Sequence, residues 1–273
     1  MGLYPFPGKA LKASFAMRRF HIPSEQLHGP QPFLGGDEAR HLLQVLRMKV
    51  GDQVILFDNS NQEYQVRIQS ISGNQVYFEI EDHQTIIRES ALKITIGIPL
   101  IRPQPFEWIL QKGTELGVSA FRPYYSTHSR RNFEKSEMDS RMKRWQRILI
   151  EAAKQCERNV LPEFLPPVPF SDLLKGYPEA LKIIPYEEES SRTLEELKPP
   201  LQTPVLALVG PEGGFHKDEI KQAEGKGFIP ISLGPRILRS ETAALALICL
   251  LQFVWGDMGL RPSGPADPGT GRR

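Results

Sequence analysis

The sequence predicts an α/β protein, a parallel-sheet domain preceded by a small β-barrel domain. Three observations carry that expectation. Short alternating runs bounded by turn residues fill residues 50–80, the pattern of half-buried strands. From Ala91 onward apolar runs alternate with amphipathic stretches, as in a parallel sheet covered by helices. Towards the C-terminal end, two apolar runs break abruptly into glycine-containing loops, the place where open α/β sheets bind flat ligands.

Residues 1–16 contain no acidic residue and no continuous apolar core of signal-peptide type. They read as a disordered leader or a mis-assigned start, with Met17 the natural one. The β domain spans 17–90. Its strands are 50–57, 64–68 and 73–80, with a short helix at 38–47 that ends before Gly51. Several short strands around one helix suggest a compact barrel. The polar stretch 81–90 reads as a linker.

The α/β domain spans 91–260. Residues 92–98 form its first strand, and Pro105 starts a helix with Phe106, Ile109, Leu110 and Leu116 on one face, closed by Gly117. A second strand covers 121–125. Met138, Met142, Trp145, Leu149 and Cys156 mark a long amphipathic helix whose other face carries Arg141, Lys143, Arg144, Arg147 and Lys154. Strands at 181–185, 205–209 and 228–233 and helices at 217–225 and 241–255 complete it. The Pro/Gly-rich residues 261–273 read as a disordered tail.

Composition excludes several classes. A net charge of +2 rules out a global polycation, so any nucleic-acid-binding face must come from local clustering. Cys156 and Cys249 form no CxxC, which argues against a metal site or a disulfide framework and fits a reducing cytoplasm. The longest apolar run, 243–251, stops at Gln252 and is too short to span a bilayer.

The loops themselves read Gly210-Pro211-Glu212-Gly213-Gly214-Phe215 and Leu233-Gly234-Pro235-Arg236-Ile237-Leu238-Arg239-Ser240-Glu241-Thr242. An isolated glycine turn often holds no ligand; two such loops after two apolar strands lower the odds of that. No Gly-Lys-Ser/Thr follows, so a Walker phosphate loop fits poorly, and GxGxxG is absent. From these residues alone the loops mark a cofactor cleft of undetermined type.

The same series resembles the S-adenosylmethionine site of the SPOUT, or α/β-knot, methyltransferases, and more narrowly the ribosomal RNA small subunit methyltransferase E family. Supporting matches are Met17-Arg18-Arg19-Phe20-His21, His41 with Val45-Leu46-Arg47-Met48, Lys112 with Glu115-Leu116-Gly117-Val118, Gln155-Cys156-Glu157-Arg158 and Gly256-Asp257-Met258-Gly259. Together they span roughly residues 17–260. The resemblance implies a deep trefoil knot at the C-terminal end, a PUA-like RNA-binding barrel, a homodimer and methylation of N3 of a uridine in 16S rRNA. The sequence shows no metal-ligand cluster, and the chemistry needs none, so no metal and no membrane partner are expected. One departure is Ser240 where the family usually has Thr, which keeps the hydroxyl.

Under that resemblance the cofactor contacts fall on Leu208, Gly210, Pro211, Glu212, Gly213, Gly214, Leu233, Gly234, Ile237, Leu238 and Thr242. Uridine N3 is protonated at neutral pH, and its anion spreads charge onto the flanking carbonyl oxygens. A fixed cation there favours the anion, and Arg239 and Arg236 are the candidates. Glu241 or Glu212 stands ready to accept the proton. Each has a structural alternative: Glu241 suits the first turn of a helix, Glu212 suits a loop tie, and Arg239 suits a subunit interface. Arg18, Arg19, His41, Arg47 and Lys49, with His128, Arg130 and Arg131, are the RNA candidates. Two competing readings are a non-catalytic RNA-binding ribosome-assembly factor and a ribose 2′-O-methyltransferase on the same fold. Intact glycines argue against the first, the N-terminal barrel against the second.

Overall fold

Five strands build the N-terminal part: β1 (Arg19–His21), β2 (Phe33–Leu34), β3 (Gln53–Phe57), β4 (Gln62–Ser72) and β5 (Gln75–Thr85), joined by helices α1 (Ser24–Leu27) and α2 (Gly36–Arg40). The structure is a computed structural model that describes residues 17–126, 134–198 and 203–259. The chain divides into two units, Met1–Arg88 and Glu89–Arg273.

In the first unit the strand order is β1-β3-β4-β5-β2, with β1 parallel to β3 and the other pairs antiparallel. Phe20, Ile22, Leu42, Leu56, Val66 and Phe78 fill its core. Among the described residues no ladder joins β1 to β2, so the sheet curls without closing hydrogen bonds into a ring.

The polar stretch read as a linker is partly strand. Residues 82–85 of β5 pair with 62–65 of β4. This extension exposes most of its side chains and so offers no apolar alternation. Local contacts hold it instead: Arg67 Nε donates to Glu81 Oε1 at 2.6 Å, and His83 stacks on Tyr64 at 5.9 Å.

The second unit alternates strand and helix: β6 (Ile94–Pro99), α3 (Pro103–Glu115), β7 (Ala120–Tyr125), α4 (Lys135–Gln155), β8 (Glu163–Phe164), β9 (Val168–Pro169), α5 (Phe170–Lys175), β10 (Leu181–Pro185), β11 (Val205–Leu208), α6 (Lys217–Glu224), β12 (Phe228–Ile231) and α7 (Ser240–Val254). The sheet runs β12-β10-β11-β6-β7-β8, with β9 also on β7, and each of its ladders is parallel. Both faces are covered, which is why the strands read as continuous apolar runs. Val205 and Ala207 join one core with Ile94, Ile96, Phe106 and Leu247. Leu206 and Leu208 join the other with Tyr124, Phe170 and Ile220.

Two buried polar side chains tie down the turn after α3. Arg158 Nη1 donates to the carbonyls of Thr114 and Val118, both at 2.9 Å, while its Nε reaches Glu89 at 3.1 Å. Gln252, the polar stop in the last apolar run, donates to the carbonyls of Leu116 (3.1 Å) and Gly117 (3.3 Å) and accepts from Ser90 Oγ (2.8 Å). These bonds pin carbonyls of the last turn of α3 and of the chain just beyond it. Among the described residues no helix is long and apolar enough to cross a membrane.

Candidate active site

The carboxyl ends of β10, β11 and β12 lie side by side in the sheet, and the loops leaving them enclose a cavity of about 330 Å³. Its lining includes Gly210, Pro211, Glu212, Gly213, Gly214, Leu233, Gly234, Arg236, Ile237 and Leu238, so the two glycine loops form one site. Tyr186, Glu187 and Ser240 line it as well, and no motif marks the first two. Leu208 and Thr242 do not line it: Leu208 is buried in the core beneath the sheet and Thr242 faces outward on α7.

Backbone conformation explains the two glycines that matter most. Gly214 has φ +75°, and a side chain there would collide with the Glu187 carboxylate. Gly234 has φ +100°, yet a Cβ on it would meet nothing within 4 Å. Gly234 lines the cavity, and a side chain on it would enter open space. Such angles are open to glycine and strained for other residues.

Two hydroxyls fix the upper edge of β11. Tyr124, fully buried, donates from its hydroxyl to the Val209 carbonyl at 2.6 Å. Burial, aided by the charge of Glu219, pushes its pKa well above the ordinary phenol value, so it stays a donor. Ser240 Oγ donates to the Gly210 carbonyl at 2.7 Å. The hydroxyl at position 240 therefore ties the start of α7 to the first glycine loop.

A larger open groove, about 1070 Å³, lies along α3 and α4 and takes in Arg239 and Glu241. The residues from 236 to 241 thus line two spaces: Arg236, Ile237, Leu238 and Ser240 face the loop cavity, and Arg239 and Glu241 face the groove. Arg239 is the residue before α7 and Glu241 lies in its first turn. The groove adds a cation that sequence reasoning missed. Arg102 lines it and donates from Nε to Glu212 Oε1 at 2.7 Å. That bond, with the more distant charge of Glu241, raises the Arg102 pKa above its ordinary value. Glu212 accordingly holds an arginine rather than loop N–H groups. The signal for Arg102 was its place just after an apolar strand and before Pro103, which opens α3.

The loop cavity fits S-adenosylmethionine in kind. It combines main-chain edges, the apolar Leu233, Ile237 and Leu238, and an open space where Gly234 lacks a side chain. Ile237 is 91% exposed, an apolar wall without protein cover, and the volume lies at the lower end for cofactor pockets.

A family model described as RNA methyltransferase domain matches residues 88–252, and one described as RNA methyltransferase PUA domain matches residues 34–81. The Bacillus subtilis ribosomal RNA small subunit methyltransferase E is 31% identical over 87% of this chain and 96% of its own length. The chain belongs to the ribosomal RNA small subunit methyltransferase E family. Among solved structures, the Neisseria gonorrhoeae family member bound to S-adenosylmethionine superposes with a TM-score of 0.80. It is 33% identical and covers 89% of this chain and 99% of its own. A Legionella pneumophila protein in complex with the same cofactor gives 0.83 at 35% identity, with the same coverage.

Against this family frame the basic residues separate. Arg18, Arg47 and Lys49 are exposed, and His41 is half-buried, edge-on to Phe20 at 6.1 Å. Arg19 does not belong with them. Its side chain is buried, donates to Glu63 of β4 at 2.8 Å and lies over the Phe57 ring of β3 at 5.4 Å. A guanidinium held that way is structural, and it leaves the RNA-facing group. His128, Arg130 and Arg131 lie outside the described residues. On the basic face of α4, Arg141, Arg144 and Lys154 are each held by a carboxylate, from Glu137, Glu107 and Glu151.

Proposed function

We propose that this chain is an S-adenosylmethionine-dependent methyltransferase acting on N3 of a uridine in the RNA of the small ribosomal subunit. One observation carries the reading: residues 236–241 line both the glycine-loop cavity and the groove. A methyl donor on one side and an acceptor base on the other therefore meet across a single stretch of chain.

When bound, S-adenosylmethionine supplies an electrophilic methyl on a sulfonium that departs as a thioether. The chain's own work is positioning and proton removal. Main-chain groups of the two loops hold the flat adenosine part, with Leu233, Ile237 and Leu238 packed against it. Arg239 faces the acceptor side and stabilises the negative charge that appears on the uracil carbonyl oxygens as N3 loses its proton. Glu241, in the same groove, accepts that proton directly or through water. Arg236, on the cofactor side, is the second cation of this set. Arg18, Arg47, Lys49 and His41 contact the RNA backbone, which gives affinity without reading sequence.

The chain works as a homodimer in the cytoplasm, where its ribosomal substrate is made, and α7 supplies a subunit contact. Leu250, Phe253, Val254 and Met258 remain exposed on and just beyond that helix, an apolar strip of the kind that association covers. The trefoil crossing of the family belongs to the same reading.

Nucleoside analysis of 16S rRNA from a deletion strain tests the proposal. Loss of a single 3-methyluridine, restored by this chain, is the expected result. Loss of a 2′-O-methylated nucleoside instead transfers the reading to the ribose enzymes, and an unchanged profile with intact RNA binding transfers it to assembly factors.

A further inference from the structure

The groove contains one large aromatic, Trp108, and its state is unusual. It sits in the middle of α3, flanked by the fully buried core residues Phe106, Ile109 and Leu110. Its own indole is 48% exposed and lines the groove together with Arg102, Arg239 and Glu241. Among the described residues no other ring packs on it. The other two tryptophans are used differently: Trp145 is buried against Phe106 and Phe164, and Trp255 packs against the core at the end of α7. A half-exposed indole on a rigid helix, in a groove it shares with three guanidinium groups (Arg102, Arg147 and Arg239) and three carboxylates (Glu107, Glu151 and Glu241), is what a single unpaired base needs: a flat face to stack on and charges for its edge.

We propose that Trp108 is the stacking platform for the acceptor base, and that Arg102 acts as a positioning residue at its side. This rests on the functional reading above and adds what holds the base. The groove's mixed charge supports a base rather than a phosphate run. Glu107, Glu151 and Glu241 alternate in its lining with Arg102, Arg147 and Arg239, so its rim is not a bare cationic strip. The indole binds the uracil face, leaving the edge that carries N3 and its carbonyl oxygens open to Arg239 and Glu241. The Arg102–Glu212 pair joins the groove to the first glycine loop, so the platform side and the cofactor side are held in register.

The test uses the full-length chain and small ribosomal subunits from a deletion strain, with single-turnover methyl transfer at limiting substrate as the readout. Trp108→Ala is expected to lower the transfer efficiency roughly 5- to 150-fold, the range of base stacking on an aromatic side chain. S-adenosylmethionine affinity, by calorimetry, and subunit assembly, by light scattering, stay at parent values. Trp108→Phe recovers most of the rate, and Trp108→Leu, which fills space without a π face, does not. Equal recovery by Leu, an unchanged rate in Trp108→Ala, or a loss of cofactor binding or assembly overturns the platform. A parent chain that binds S-adenosylmethionine yet methylates no ribosomal RNA overturns the functional reading itself, and the platform with it.

Discussion

At the residue scale, two arginines of the same sequence do opposite things. Arg239 precedes α7 with its side chain in the open groove. If it stabilises the uridine anion, Arg239→Ala slows methyl transfer by roughly 10²–10³-fold, as losing one oxyanion donor does. Cofactor affinity stays near the parent value, and rising pH restores part of the rate because solvent then removes the N3 proton with less help. Single-turnover rates across pH measure both; a variant as fast as the parent assigns the catalytic cation elsewhere. Arg19 instead sits inside, sharing the buried Glu63 with Arg88. Burial alone would raise the Glu63 pKa, but the bonds from Arg88 and Arg19 hold it below the ordinary carboxylate value. A depressed carboxylate stabilises the fold above its unfolded pKa and loses that contribution as pH falls through the folded value. Glu63→Gln is therefore expected to cost about 3–5 kcal/mol at neutral pH by stranding buried guanidinium charge. The gap in melting temperature from the parent narrows on acidification. Equal melting of the two at neutral pH would falsify this account. Composition shows the arginines of the Met17-Arg18-Arg19 run as equals. Only the pairing of β1 with β3 tells them apart.

At the element scale, the long or continuous apolar segments were legible. The runs at 181–185 and 205–209 fall on β10 and β11, because burial on both faces writes itself as unbroken hydrophobic sequence, and the helices at 217–225 and 241–255 fall on α6 and α7. Elements held by something else were not. β8, β9 and α5 are too short to show a period, β1 and β2 pair at sheet edges, and the outer half of β5 is polar on both sides. The glycine loops were legible as loops, but their partners Tyr186, Glu187 and Arg102 came from elsewhere in the sheet. Gly234 gives the sharpest check on the loop pair. Valine there forces a β-branched residue into φ +100° on the cavity lining, a strain of order 1–3 kcal/mol. Calorimetry is expected to give at least a tenfold weaker Kd for S-adenosylmethionine, and binding within twofold of the parent removes Gly234 from the cofactor wall.

At the scale of the whole molecule, the proposed dimer answers the exposed strip on α7. Leu250, at 40%, and Phe253, at 68%, lie one helical turn apart, and replacing both with glutamate places charge where a partner helix would press. Light scattering at micromolar concentration is expected to show a dimer for the parent and a monomer for the double variant. A monomeric parent refutes it.

The sheet order has a consequence for how the molecule is made. β6 gains one neighbour, β7, almost at once, but its other neighbour, β11, is synthesised about 110 residues later. At 5–20 residues per second the apolar edge of β6 waits roughly 5 to 20 seconds on the ribosome for its partner. Through that interval Ile94, Ile96 and Ile98 present an open strand to any other nascent chain, the condition under which edges pair wrongly. The protein that services the ribosome thus leaves it with its own central ladder still to close, and its yield depends on what shields that strand in the meantime.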